Sequence, residues 1–323
     1  VTFRPPALSV LSDICGLLAC PVCGRGFALT PAVPSASLSL PASPPAVPSP
    51  PASVLPSALR CGNGHSFDIA RHGYVNLMTG HARPGSADTA EMVTARQAFL
   101  AAGHYEPLAD AVAALAAVAV PASFPPAPAC VLDAGSGPGY YLAAVLDRLR
   151  TLPGYAGTTG LAMDNSVRAL RWAARAHPAA GAIGWDVWKP FPVRDGVASV
   201  VLNVFAPRNG AEFRRVLRDD GALIVVTPGP GHLAELVRDA GLLTVDERKD
   251  ERLSAALGEH FSLASQQELA RTLRLTRSGA GTLAGMGPSA RHAGPDETGA
   301  RLALLAEPVS VTAAFRVSLY RPR

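Results

Sequence analysis

The run Val131-Leu132-Asp133-Ala134-Gly135-Ser136-Gly137-Pro138-Gly139-Tyr140-Tyr141 restricts the fold of this chain more than any other stretch. A short apolar segment ends in a carboxylate, three glycines follow at alternate positions, and Leu142, Val145, Leu146 and Leu149 then recur with a helical period. Strand, tight turn and amphipathic helix in that order open a parallel α/β sheet. Glycine lets a backbone turn this sharply and come close to a bound molecule, with the amides of the helix start aimed at it. The turn therefore predicts a ligand site made of Asp133, Gly135, Gly137, Gly139 and the adjoining Tyr140.

The wording of the turn separates two ligand classes. A dinucleotide fingerprint reads G-x-G-x-x-G and seats a pyrophosphate. This chain reads D-x-G-x-G-x-G, which resembles the first motif of the Rossmann-like methyltransferases. The resemblance implies S-adenosylmethionine as cofactor, with Asp133 and the glycine loop at its methionine end. A second apolar segment, Gly160-Leu161-Ala162-Met163-Asp164, ends in a carboxylate where a doubly wound fold places the acid that takes ribose hydroxyls. An NAD enzyme would carry the same acid, and Asp164 could equally cap a helix running from Ser166 to Ala176. Asp186, after Ala182-Ile183-Gly184-Trp185, stands where such methyltransferases contact the adenine amino group; a loop Asp is otherwise a solvated residue.

Cysteines at 15, 20, 23, 61 and 130 are odd in number, which fits a disulfide framework poorly. Cys20-Pro21-Val22-Cys23 and Cys61-Gly62-Asn63-Gly64-His65 form a C-x2-C and a C-x3-H pair. Three thiolates and one imidazole complete a tetrahedral structural zinc site with no open position for catalysis. A redox C-x-x-C is the competing reading, and it leaves Cys61 and His65 without a purpose. Cys15 and Cys130 lie in apolar stretches and read as small buried hydrophobes. Between the pairs, residues 30–58 are almost wholly Pro, Ala, Ser, Val and Leu, without charge or period. They predict a disordered or polyproline-like loop protruding from the zinc domain, tolerable because closure entropy grows slowly with loop length.

At 323 residues and 48% hydrophobic content the chain suffices for about two domains with a sizeable core. It lacks the run of about 18 apolar residues that a spanning helix needs, so no membrane partner is expected. Net charge is +4, and Lys stands only at 189 and 249, so nearly all cations are Arg; this permits RNA binding without requiring it. The chain opens on Val rather than Met and shows no secretory signal. A bacterial cytoplasm is the expected compartment, with a plastid stroma as the alternative that the low-complexity insertion suggests.

Three further stretches carry a more specific likeness: Ser66-Phe67-Asp68-Ile69-Ala70-Arg71-His72-Gly73-Tyr74-Val75-Asn76-Leu77, Ala95-Arg96-Gln97-Ala98-Phe99-Leu100 and Gly103-His104-Tyr105-Glu106-Pro107-Leu108. With the zinc pairs they resemble the bacterial 23S rRNA guanine-N1 methyltransferases, and particularly their tylosin-resistance branch. The likeness continues through Asn203-Val204-Phe205-Ala206-Pro207-Arg208-Asn209, Val226-Thr227-Pro228 with His232-Leu233-Ala234-Glu235-Leu236, and Met286-Gly287-Pro288-Ser289 with His292. The insertion at 30–58 and an Ala/Pro tract at 111–129 depart from the family pattern without removing a motif residue.

This resemblance implies transfer of a methyl group from S-adenosylmethionine to N1 of a guanine in a hairpin loop of large-subunit rRNA, an activity linked to macrolide resistance. It places Tyr105 and His232 at the cofactor and the 286–289 loop at the target base. It also implies a homodimer whose zinc domains flank an RNA cleft. Asn203 ends the fourth strand, where its amide could accept hydrogen bonds from the base edge and Phe205 could stack on the ring. A strand-end Asn satisfying a turn, with Phe205 in the core, is the plainer reading. Tyr105 could instead sit between domains, and His232 is a general base by residue type alone. Arg60, Arg71, His72, His81 and Arg83 are candidates for RNA phosphates, or an ordinary solvated face.

The predicted architecture is α/β. A zinc-ribbon-like domain covers 1–85, a helical linker 86–128, and a seven-stranded Rossmann-like class I methyltransferase domain 129–323. Strands are expected to end near Asp133, Met163, Trp185, Asn203 and Thr227, with a late antiparallel strand over Val309–Leu319. A methyltransferase of small molecules or proteins with a zinc docking domain, and a non-catalytic RNA-binding module, are the rival readings.

Overall fold

The computed structural model describes residues 7–31, 56–79, 88–120, 129–242, 257–287 and 295–323. Most of the 30–58 insertion, and His81, Arg83, Pro288, Ser289 and His292, lie outside the described residues.

Strands β1 (Phe27–Pro31), β2 (Pro56–Cys61) and β3 (Ser66–Asp68) form a small antiparallel sheet. The large sheet has eight strands: β4 (Tyr74–Asn76), β5 (Cys130–Ala134), β6 (Thr159–Asp164), β7 (Ala180–Gly184), β8 (Ala198–Val204), β9 (Leu217–Pro228), β10 (Phe261–Leu275) and β11 (Val309–Pro322). Their spatial order is β10-β11-β9-β8-β5-β6-β7-β4; β11 is antiparallel to both its neighbours, and every other pairing is parallel, so β11 alone runs against the direction of the sheet. The class I methyltransferase sheet expected from the glycine turn is thus present, with each parallel strand ending within a residue of its expected place. The eighth strand is β4, which pairs parallel to β7 through Tyr74 and Ala182. Three residues are too few to show a period in sequence, so this strand was legible only through its pairing.

The N-terminal segment joins the large sheet in a second way. Helix α1 (Ala7–Cys15) buries Val10, Leu11 and Ile14 against one sheet face, and Gly181 of β7 leaves the room that Ile14 fills. Helix α6 (Gly210–Val216) shares that face through Phe213 and Val216. The opposite face is covered by α3 (Glu106–Ala119), α4 (Tyr140–Arg150) and α5 (Val167–Ala176), through residues such as Val112, Leu142, Leu146 and Leu170. Each such fully buried aliphatic side chain contributes on the order of 1.5–3 kcal/mol. Within the stretch expected as a helical linker lie α2 (Ala90–Ala101) and α3; after β10 come α8 (Arg277–Gly285) and α9 (Pro295–Ala303), and between β9 and β10 stands α7 (Ala234–Ala240).

Covering both faces makes β5 and β8 buried along their whole length, which explains their near-continuous apolar wording. The sheet runs outward from β5 in both directions, to β6 on one side and β8 on the other. In an open α/β sheet the crossover loops diverge at such a point, and the crevice beyond the strand ends is where the ligand binds.

Candidate functional site

The crevice is floored by the glycine turn. Gly135, Gly137 and Gly139 have φ of +84°, +53° and +82°, backbone that a side chain rarely adopts. The Gly135 and Ser136 amides donate to the Met163 carbonyl at 2.8 and 3.1 Å. Asp164 accepts from the Gly137 amide at 2.8 Å and from the amide of Ser166 at 2.7 Å, so it ties the turn to the residue that caps α5. A Cβ on Gly139 would lie 2.9 Å from the Ala176 Cβ, and one on Gly135 would overlap Ala206. Gly135→Ala should therefore displace the turn after β8 as well as strain its own backbone. A fall of several degrees in Tm and at least tenfold weaker cofactor binding are expected, read by thermal denaturation and calorimetry.

Asp133 supplies the carboxyl group beneath this turn. It is 1% exposed, and neither carboxylate oxygen has a hydrogen-bond partner among the described residues. Burial, and secondarily the nearby Asp164, push its pKa up to about 8. A buried carboxylate with both oxygens free is costly unless a donor or cation arrives with a ligand. The α-ammonium of an amino acid meets that need, so the residues present fit the methionine end of S-adenosylmethionine. Burial also raises the Asp164 carboxyl, although its two backbone donors oppose the shift. Asp186 is half-buried after β7 and accepts from the Trp188 amide at 3.0 Å.

Aromatic rings close the far side. Tyr105 meets Phe315 at 4.9 Å between centroids, Phe315 meets His232 at 5.2 Å and Phe205 at 5.8 Å, and Phe205 faces Tyr141 at 6.5 Å. Tyr140 packs against Tyr141 at 5.2 Å. The structure thus brings together Tyr105, Tyr140, Phe205 and His232, four residues that stand far apart in sequence. Phe205 is 43% exposed and has φ of +53°, a conformation costing about 1–3 kcal/mol that presents its ring outward. His232 accepts at Nδ1 from the Ala314 amide at 3.2 Å, and burial lowers its pKa to about 4. Its imidazole is therefore neutral near pH 7, with the proton on Nε2.

Asn203 is wholly buried. Its amide nitrogen donates to the Ala134 carbonyl at 3.2 Å and the Pro207 carbonyl at 2.8 Å, tying the end of β5 to the turn after β8. Its Oδ1 has no partner among the described residues. Three residues beside the turn were given no role from the sequence. Phe315 was hidden in the alternation of β11, and Tyr141 in the apolar face of α4. Arg96 of α2 ion-pairs with Asp88, donates to the Met286 carbonyl at 2.8 Å, and lies 3.7 Å from where a Gly137 side chain would begin.

The metal-binding residues converge equally well. Cys23 Sγ lies 3.7 Å from Cys61 Sγ, and His65 Nδ1 lies 3.6 Å from Cys20 Sγ and 3.3 Å from Cys61 Sγ. A tetrahedron with Zn–S near 2.3 Å and Zn–N near 2.05 Å has edges of about 3.8 and about 3.5 Å, so the donor set fits zinc. Backbone turns hold each pair: the Gly24 amide donates to Cys20 and the Gly64 amide to Cys61. Burial raises the Cys61 thiol, but hydrogen bonds from the Asn63 backbone and from His65 outweigh it and bring it to about 6. Cys15 and Cys130 are buried away from this cluster, as expected of small hydrophobes.

A family model for the zinc ribbon described as "RlmA, N-terminal" matches residues 52–83, from the end of the insertion through the Cys61 and His65 ligand pair. A protein of Micromonospora griseorubida, described provisionally as a 23S rRNA (guanine-N(1)-)-methyltransferase, is 50% identical over 319 residues, which are 96% of this chain and 99% of that one. The 23S rRNA (guanine(748)-N(1))-methyltransferase of Streptomyces fradiae is 47% identical over 266 residues, 82% of this chain and 91% of that one. Among solved structures, a chain of the complex between the Haloferax volcanii Trm112 methyltransferase activator and a provisionally assigned methyltransferase aligns with 73% of this chain and 99% of its own, at 15% identity and a TM-score of 0.41.

Proposed function

Because the chain belongs to the 23S rRNA (guanine-N1)-methyltransferase family, we propose that it methylates N1 of a hairpin-loop guanine in large-subunit rRNA, at the position that the Streptomyces relative's name specifies as 748. The observation that carries this reading is an unpaired buried carboxylate at a glycine turn, adjoined by the turn after β8 that holds an exposed Phe205 ring at positive φ. When bound, S-adenosylmethionine supplies a methyl group on a sulfonium with its own leaving group, so the protein's task is alignment and exclusion of water.

Asp133 holds the α-ammonium, the glycine turn takes the methionine backbone, and Asp164 and Asp186 lie on the route to the ribose and adenine. Tyr105, Tyr140 and His232 wall the cofactor side. Guanine N1 lies inside any paired stem, so the nucleotide must be looped or flipped out to reach the site. Phe205 then stacks on the base, while Asn203 sets the turn whose carbonyls accept from N1–H and the exocyclic amine. An imidazole with a pKa near 4 is a weak proton acceptor, so His232 acts as a wall and not as a base. Accordingly, kcat/KM should show no inflection from His232 between pH 6 and 9.

Phe205→Ala should lower kcat/KM on RNA by about 10–100-fold, since base stacking is worth about 1–3 kcal/mol, with the cofactor dissociation constant nearly unchanged. Phe205→Tyr should keep most of the activity. The activity is tested by incubating unmodified large-subunit rRNA with the protein and S-adenosylmethionine and mapping products by primer extension, because N1 methylation blocks the pairing edge. A cofactor-dependent stop at one hairpin guanine supports the reading; cofactor binding with no methyl transfer to RNA overturns it. We further place the protein in the bacterial cytoplasm, where ribosomal RNA is made, and as a homodimer, which sedimentation tests. Among the described residues no helix is long and apolar enough to cross a membrane.

A further inference from the structure

Helix α5 carries Arg168, Arg171 and Arg175 at spacings of three and four residues, which puts all three on one side of the helix. Ala169, Leu170, Ala173 and Ala174 are buried against the sheet, while the three arginines are exposed. Trp172 stands among them, 44% exposed, with the Arg175 guanidinium 5.6 Å from its ring centroid. The helix also packs on β4, and the turn leading into β4 brings Arg71 and His72 to the same surface. His72 accepts from the Arg71 side chain at 3.2 Å, and burial together with Arg71, Arg171 and Arg175 holds its imidazole below the usual range.

These cations lack the partners that arginines have elsewhere on this molecule. Arg214, Arg215, Arg218 and Arg238 each meet a carboxylate within 4.0 Å. Among the described residues none of Arg71, Arg168, Arg171 and Arg175 does so. Unpaired guanidiniums kept close together repel one another, and a polyanion relieves that repulsion. A row of about 10 Å along the helix matches a few successive phosphates of one nucleic-acid strand. The row begins at Arg168, one turn from Asp164 at the crevice, and ends beside the segment that follows the zinc ligands.

We propose that Arg168, Arg171, Arg175 and Arg71 form a track for the phosphate backbone of the stem of the substrate hairpin, with Trp172 as a flat face against a ribose or an unpaired base. The track fixes register while the loop guanine is read in the crevice. This inference rests on the RNA reading above. A stem is favoured over an acidic protein because the guanidiniums recur in a row as long as a few successive phosphates beside a flat ring. Glu91 of α2, whose carboxyl is held down first by its own backbone amide and also by Arg168, is the nearby acid and forms no ion pair with the row among the described residues.

The test uses the full chain with bound zinc and a fluorescent hairpin RNA of the target region, with dissociation constants measured from 50 to 300 mM KCl. Arg168→Gln, Arg171→Gln and Arg175→Gln combined should weaken binding at about 100 mM salt by 10–100-fold and reduce the slope of log K against log salt by about 2–3. The corresponding triple Lys variant should restore the slope, which a folding defect would not allow. Trp172→Ala should weaken binding with the slope unchanged, and all variants should bind S-adenosylhomocysteine within twofold of the parent. A Gln triple with parental affinity and slope overturns the track, and so does one that loses RNA and cofactor binding together and is not rescued by Lys. A parent that methylates no RNA is a different result, which removes the RNA reading itself.

Discussion

Asp133→Ala is expected to weaken S-adenosylhomocysteine binding by at least about 100-fold, and Asp133→Asn by nearly as much. The carboxylate is buried with both oxygens unpaired, so a cationic ligand group gains a charge-assisted contact in a dry site. Losing one partner of such a buried pair costs about 3–5 kcal/mol, which converts to two or three orders of magnitude in affinity. The ligand-free protein should respond in the opposite sense. Removing an unsatisfied buried acid relieves a desolvation penalty, so Asp133→Asn should raise Tm in the absence of cofactor. Loss of both binding and stability would contradict the assignment of Asp133 as a ligand-dedicated charge.

The same group makes a pH prediction. Its native pKa, near 8, is above the ordinary value of 3.8, so between about pH 4 and 8 the native state keeps a proton that the unfolded chain has lost. Stability of the ligand-free protein from this group is therefore full below pH 4 and declines as pH rises to 8. A bound ammonium favours the carboxylate form, so cofactor binding near pH 7 should release close to one proton. Calorimetry in buffers of differing ionisation enthalpy reads that number directly; a value of zero with the wild type, or an unchanged value in Asp133→Asn, counts against it.

Removal of zinc is the second large effect. The small sheet contributes few fully buried side chains, Leu59 among them, and Phe27 and Phe67 meet edge to face at 5.7 Å. So small a core does not hold three short strands without a staple, whereas structural zinc contributes on the order of 10–16 kcal/mol at neutral pH. A chelator, or Cys61→Ser, should release one zinc per chain, unprotect the amides of β1 to β3 in hydrogen exchange, and lower RNA methylation by at least 100-fold. Cofactor affinity should fall much less, within about tenfold, because the core of the large sheet beneath the glycine turn contains none of the four ligands. Equal loss of both functions would mean that zinc supports the whole fold through α1 and β4. Preserved methylation in a zinc-free chain would rule out any role for the metal in RNA binding.

Much of this protein is written locally. Glycines at 135, 137 and 139 demand positive φ, and the apolar residues either side of them fall into strand and helix periods, so the cofactor turn is specified within about 20 residues. The two ligand pairs are equally local, since C-x2-C and C-x3-H each close one tight turn. Conditions of this kind depend on near neighbours, and they carried the class of fold and the metal; the cofactor and the reaction came from the resemblance of the motifs to a known family.

Other features exist only once distant segments pack. Tyr74 to Asn76 become a strand because β7 offers an edge. Asn203 turns its nitrogen inward because Ala134 and Pro207 present carbonyls there, and Phe205, His232 and Phe315 meet because β11 runs antiparallel to β9. Whether Asp133 has a partner, and whether the arginines of α5 stand beside Arg71 unpaired, are facts about what tertiary packing leaves out. Sequence determined the ligand turn and the metal pairs through spacings of a few residues, and pointed to the reaction through family resemblance; the tertiary structure decided which charges stay unpaired and which rings face solvent, because those depend on packing between segments far apart in the chain.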